Sequence, residues 1–211
     1  MGLTFPRFFA ATALIALSAL SHAQDTANAS QAVPAEAMAF DLQIEAPQEI
    51  AQLLQRHMEL QRYRVLTDLS DSEIQSLLTD AQQDAAGLLA TLGYFSAAIQ
   101  IRLLPPDTKG RKQVQITVAP GAQARVRAVD LVLDGAIATD EAAQAQRQSI
   151  RDLWSLASGE PFSQDAWDAA KAQALKQLVA KRYATGSLHS AQAEVDPDSA
   201  TVDLRLQLDS G

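Results

Sequence analysis

The chain contains no cysteine. Disulfides, thiolate nucleophiles and cysteine-ligated metals are therefore excluded. Histidine is scarce as well, at three residues in 211. One of these, His22, lies in an N-terminal apolar segment, which leaves His57 and His189 for any chemistry. The chain has no His-Glu-x-x-His, no Gly-x-Ser-x-Gly, no glycine-rich phosphate loop and no EF-hand spacing. Positive charge is in deficit, with 17 Lys and Arg against 25 Asp and Glu, a net charge of −8. Nucleic-acid binding needs clustered cations for the phosphates, and attraction to anionic lipid needs the same, so the balance argues against both. No apolar run after Leu20 is long enough to cross a bilayer as a helix.

The N-terminus does carry an apolar run. A single cation, Arg7, precedes Phe8 to Leu20, and Ser21-His22-Ala23 offers small residues at −3 and −1 of a cleavage site. The run is short for a membrane span of about 20 residues. Residues 1–23 read as a signal peptide, with a retained anchor as the alternative, and the protein is expected outside the cytoplasm. Loss of Arg7 takes the net charge from −8 to about −9. Residues 24–38, rich in Ala, Ser, Asn and Gln, read as a flexible leader. The Asn28-Ala29-Ser30 glycosylation match is read as chance, because the signal has a bacterial look.

Beyond the leader the apolar period changes in a regular order. Phe40, Leu42 and Ile44 alternate with polar residues and predict a strand. Pro47 opens a helix whose apolar face is Ile50, Leu53, Leu54, His57 and Met58. Ser70-Asp71-Ser72-Glu73 is a capping-box pattern. It starts a second helix with the stripe Ile74, Leu77, Leu78, Ala81, Ala85, Leu88 and Leu92, ended by Gly93. In TLGYFSAAIQIRLLP the period then drops to two, with Ala97, Ile99, Ile101 and Leu103 apolar. A loop at Pro105 to Gly110 leads to a returning strand, Gln113 to Val118.

This strand-helix-helix-strand-strand order recurs. Val129 to Leu133 repeats Phe40 to Ile44 at a spacing of 89, Tyr183 repeats Tyr94 at the same spacing, and Val202 to Leu208 repeats the returning strand at 90. The second copy predicts one helix from about Asp140 to Leu156, burying Ile150, Leu153 and Trp154. A second runs from about Ser163 to Tyr183 with Trp167, Ala170, Ala174, Leu175, Leu178 and Val179 on one side. After Leu188 the apolar parity slips to Ala191, Ala193 and Val195, which predicts a bulge near Ser190. Each copy has one wet sheet face, since fully covered strands would not alternate.

The polar clusters have structural readings. His57 falls on the buried side of its helix and His189 beside a strand, as packed or surface residues. Asp68, Asp71 and Glu73, and Asp196 and Asp198, fall at helix starts and turns, where acids cap and turn the chain. Trp154 and Trp167 are core or interface aromatics. These residues supply no catalytic, metal or cofactor site.

A longer string is more specific. WSLASGEPFSQDAWDAAKAQALKQLVAKRYATGSLHSAQAEVDP carries Trp154, Leu156, Gly159, Pro161, Phe162, Gln164, Trp167, Lys171, Tyr183, Leu188, Ala191, Ala193 and Val195. It resembles the second POTRA domain of TamA-like outer-membrane-protein assembly factors, a branch of the wider BamA family. PGAQARVRAVDLVLDG resembles the junction between POTRA units, and LLATLGYFSAAIQIRL with QVQITVAPG the first unit. The resemblance implies an α+β fold of two tandem POTRA units, 39–121 and 122–211. Each would be a three-stranded mixed sheet with two helices on one face. It implies that the last strand of each unit is central and the middle strand free, so Ala97, Ile99, Gln100, Ile101, Arg102 and Leu103 form the candidate partner-binding edge. The lack of any base–nucleophile or metal set in the residues predicts no enzymatic activity and no cofactor. The implied partners are nascent or unfolded outer-membrane proteins, autotransporters among them, and a TamB-like periplasm-spanning protein. A third unit and a membrane barrel are expected in the family pattern, so the sequence is expected to be a fragment or a truncated relative, with insertion activity residing elsewhere. Two other classes stay open at this point: a scaffold of another secretion or division machine, and a cell-wall enzyme built on the repeats.

Overall fold

A computed structural model of the chain describes residues 38–66 and 68–211. The expected signal peptide and the leader up to residue 37 lie outside the described residues. Alternating apolar residues need a surface to bury against, and here each short sheet finds it in a layer of helices. The first half runs β1 (Phe40–Glu45), α1 (Gln48–His57), α2 (Leu60–Tyr63), α3 (Asp71–Thr91), β2 (Ala98–Leu104) and β3 (Lys112–Ala119). The second runs β4 (Arg125–Asp134), α4 (Ala136–Thr139), a 3-10 turn (Glu141–Ala143), α5 (Gln144–Asp152), α6 (Gln164–Val179), β5 (Ser187–Asp196) and β6 (Thr201–Asp209). The fold is α+β, with two three-stranded mixed sheets of the same topology, β1-β3-β2 and β4-β6-β5. In each, the last strand is central, parallel to the first and antiparallel to the middle one.

Each half has its own core. In the first, Phe40, Ile50, Leu54, Ile74, Leu89, Val114 and Ile116 are buried. In the second, Val126, Ile150, Trp167, Leu178, Leu204, Leu206 and Leu208 are buried. The capping box forms as read: Ser70 Oγ accepts from the Glu73 N–H and the Glu73 carboxylate accepts from the Ser70 N–H at 2.8 Å. Gly93 ends α3 at φ +87°. The parity slip in β5 is an irregularity between Leu188 and Ser190, with the exposed His189 as the extra residue.

Several expectations are corrected. His57 is exposed, because α1 ends there and the extended backbone of Met58 carries Met58, not His57, into the core. In the last turns of α3 it is Leu89 that is fully buried, with Leu88 only half-buried. The helix expected over 140–156 is broken into the 3-10 turn and α5, which stops at Asp152. Leu153 is consequently 48% exposed and Trp154 half-buried, while Leu156 turns back into the core beyond the helix end. The first strands do not correspond at a spacing of 89. Ile44 faces Ile116 and Leu131 faces Leu206, and 206 lies 90 beyond 116, so Leu131, 87 beyond Ile44, holds the equivalent place.

Candidate binding edges

A sheet edge is a row of unpaired backbone donors and acceptors, and edges are where a three-stranded sheet can take on another chain. β2 is an edge strand, paired only to β3 among the described residues. Its side chains sort by face: Ile99 is buried, Ile101 and Leu103 are half-buried, and Gln100 and Arg102 are exposed. Arg102 Nη2 donates to Gln100 Oε1 at 2.9 Å across the wet face. Ala97, included in the expected edge, lies one residue before β2 and is half-buried. The wet face continues with Gln43, Glu45, Gln115 and Thr117, where Gln115 Nε2 donates to Glu45 Oε1 at 2.8 Å. β5 holds the matching place in the second sheet.

The direction of the free amides follows from a contact in the second sheet. Val126, with its side chain buried, donates its N–H to the Glu160 carbonyl (2.9 Å), and its carbonyl accepts from the Gly159 N–H (2.7 Å). Both groups point away from β6. In L-residues the face taken by a side chain fixes the edge taken by its amide. β2 and β5 run opposite to β4 and lie on the opposite edge, and the two reversals cancel. The apolar, inward residues Ile99, Ile101 and Leu103 therefore turn their amides to the open edge, and Gln100 and Arg102 turn theirs to β3.

The other singled-out residues build a wall beside β4. Trp154 Nε1 donates to the Leu156 carbonyl at 2.8 Å and its ring meets Trp167 edge-on at 6.0 Å. Lys171 Nζ lies 5.2 Å from the Trp167 ring centroid and pairs with Asp168 at 2.7 Å. The Gly159-Glu160-Pro161-Phe162 segment runs along the start of β4, and the Phe162 N–H donates to the Ala124 carbonyl at 2.8 Å. The Tyr183 hydroxyl donates to Asp140 Oδ2 at 3.2 Å. Trp154 and Lys171 thus stand apart from the β2 edge, in the other sheet's cover.

The sequence marks the junction string from Pro120 but not the contacts that join the halves. The Gly93 carbonyl accepts from the Ala124 N–H at 2.9 Å, Gln123 Nε2 donates to the Leu92 carbonyl at 2.8 Å, and Phe95 packs on Phe162 with ring centroids 6.0 Å apart. No spacing rule marks a glutamine or an alanine for such contacts. The electrostatics are those of caps and turns. Backbone N–H groups and neighbouring cations hold the carboxylates of Asp107 and Asp140 below the usual range, the Ser199 hydroxyl and N–H do so for Asp196, and Arg127 does so for Asp203. Among the described residues no three His, Asp or Glu stand close enough to hold a metal, and no helix is long and apolar enough to cross a membrane.

These features define a two-part α+β chain that displays open strand edges. No family model matches the chain and no curated protein matches it. Among solved structures it is similar to POTRA domains 3–5 of BamA from Haemophilus influenzae, at 17% identity over 83% of this chain and 66% of that one, with a TM-score of 0.41. It is similar to POTRA domains 1–2 of the periplasmic domain of Omp85 from Anabaena, at 15% identity over 82% of this chain and 95% of that one, with a TM-score of 0.40. CdiB from Escherichia coli is 13% identical over 90% of this chain and 30% of that one, with a TM-score of 0.32. The chain thus spans just under two thirds of the Haemophilus chain and less than a third of CdiB.

Proposed function

We propose that the chain is a non-catalytic, periplasmic protein-binding module of an outer-membrane assembly or secretion factor, built from POTRA units at 39–121 and 122–211. Its finer placement is the TamA-like branch, with residues 1–23 as the export signal and with further units and a barrel in the full-length protein. Outer-membrane proteins and autotransporters in transit are the clients, and a TamB-like protein is the standing partner. Such clients are extended and unpaired, so an open strand edge can capture them through backbone hydrogen bonds.

One observation carries this reading: β2 is an edge strand whose outward amides belong to its apolar residues. A client strand added there would place its own alternate side chains over the flank of the core beside Ile101 and Leu103. Proline separates the two directions of the ladder. Gln100→Pro removes a donor to β3 and should disrupt the first sheet. Ile101→Pro removes an outward donor and should fold, yet lose affinity for an extended outer-membrane peptide titrated at fixed salt. An Ile101→Pro protein that folds and binds like the parent would remove the β2 edge from consideration.

A further inference from the structure

The second sheet has another edge, at β4, and the protein itself already uses half of it. Backbone bonds from Gly159, Glu160 and Phe162 pair that segment with Ala124 and Val126 on the side away from β6. Ser158 Oγ adds a bond to the Arg127 carbonyl at 2.8 Å. There the covering stops. A bulge between Val126 and Ala128 resets the strand, after which Val129 and Leu131 are the inward, half-buried residues. By the same coupling of face to edge, their amides point where those of Val126 point. Among the described residues no backbone group bonds to them on that side.

The open stretch is flanked by an apolar groove lined by Val129, Leu131, Trp154, Ala157, Ser158 and Arg151. The groove exists because α5 stops at Asp152 and leaves Trp154 half-buried above β4. Arg151 is its one charged residue. It is exposed and makes no ion pair among the described residues. Two acids next to it in sequence or strand are engaged elsewhere: Asp152 accepts from Gln148, and Asp130 pairs with Arg205 on the opposite face of the sheet.

We propose that the free edge of β4 at Val129–Leu131, with the Trp154 groove and Arg151, is a second docking site, and that it takes an extended segment of a partner protein, apolar at alternate positions and carrying an acidic side chain level with Arg151. The bound segment continues the line of pairing that Gly159 to Phe162 begins. Its apolar residues cover Val129, Leu131 and the Trp154 ring, and its carboxylate meets the unpaired guanidinium. This site is separate from the β2 edge, so either can fail without the other.

The probe is a blocked peptide of alternating threonine and valine with one glutamate, compared with the same peptide carrying lysine instead. Binding is followed by amide and indole shifts in nuclear magnetic resonance spectra of the protein. The expected result is shifts at the Val129 and Leu131 amides and the Trp154 indole. The glutamate peptide should bind about two- to fivefold more tightly, the range of an exposed ion pair. Arg151→Glu, a surface change that leaves the fold alone, should reverse that preference. Leu131→Pro should abolish the shifts. If Leu131→Pro fails to fold, the Arg151→Glu comparison still decides. Shifts confined to β2 or β5, or equal binding of the two peptides by the parent, would overturn the proposal.

Discussion

Gly93→Ala should cost far more than its size suggests. Gly93 adopts φ +87°, and a Cβ there would lie 2.2 Å from the carbonyl oxygen of Phe162. Two penalties combine. The left-handed backbone costs a residue with a side chain about 1–2 kcal/mol. The clash is with backbone, so no rotamer relieves it, and the Phe162 strand segment must retreat. That retreat stretches the Ala124 to Gly93 bond and displaces Gln123 from the Leu92 carbonyl, each worth about 1 kcal/mol. The total is about 3–4 kcal/mol. Gly110→Ala is the internal control, because Gly110 has φ +78° and nothing within 4 Å of an added Cβ, so only the backbone penalty of about 1–2 kcal/mol applies. Urea unfolding read by circular dichroism gives both values. Tryptophan fluorescence reports the second half alone, since Trp154 and Trp167 both lie there. If Gly93→Ala costs no more than Gly110→Ala, the close approach of Gly93 to Phe162 is not a real feature of the protein.

Trp154→Ala should destabilise by about 2 kcal/mol, below the 3–5 kcal/mol of a fully buried aromatic, because the ring is half-buried; an unchanged urea midpoint in the fluorescence of the remaining Trp167 would contradict this. Ser70→Ala should cost about 1 kcal/mol through loss of the α3 cap, seen as a lower thermal midpoint, and Ser72→Ala, outside the cap, should not. Asp140 is held low by the Ala142 N–H, then by the Tyr183 hydroxyl and Arg182. A depressed carboxylate stabilises above its ordinary value and loses that contribution as pH falls through its folded value, below about 4. Asp140→Asn should therefore flatten the acid limb of the stability profile, and an unaltered profile would show that the cap contributes nothing to it.

The repeated strand order, the Ser70 cap and the bulge near Ser190 were legible in the sequence because each rests on a local pattern with one physical reading. The errors arise where a pattern has two. A shift of two residues keeps every strand side chain on its face, so alternation could not tell Leu131 from Leu133 as the counterpart of Ile44. On α3, Leu88 and Leu89 both fit an apolar stripe, and only the packing partner selects Leu89. His57 is the last residue of α1 and Leu153 the first beyond α5, and where a helix stops the direction of the chain, not the 3.6-residue period, decides burial. The β2 edge is implied only by the family resemblance, because nothing in the residues Ala97 to Leu103 themselves distinguishes an edge from a centre. The open side of β4 depends on where the Gly159 segment ends, which no local pattern records.

Hydrogen exchange at single amides in β2 tests the central claim most directly. In the free protein the outward amides of Ile99, Ile101 and Leu103 should exchange fast, and those of Gln100 and Arg102, bonded to β3, slowly. Addition of a saturating extended outer-membrane peptide should slow Ile99, Ile101 and Leu103 and leave Gln100 and Arg102 unchanged. Unaltered exchange at those three residues, with protection appearing only elsewhere in the chain, would contradict the assignment of β2 as the client-binding edge.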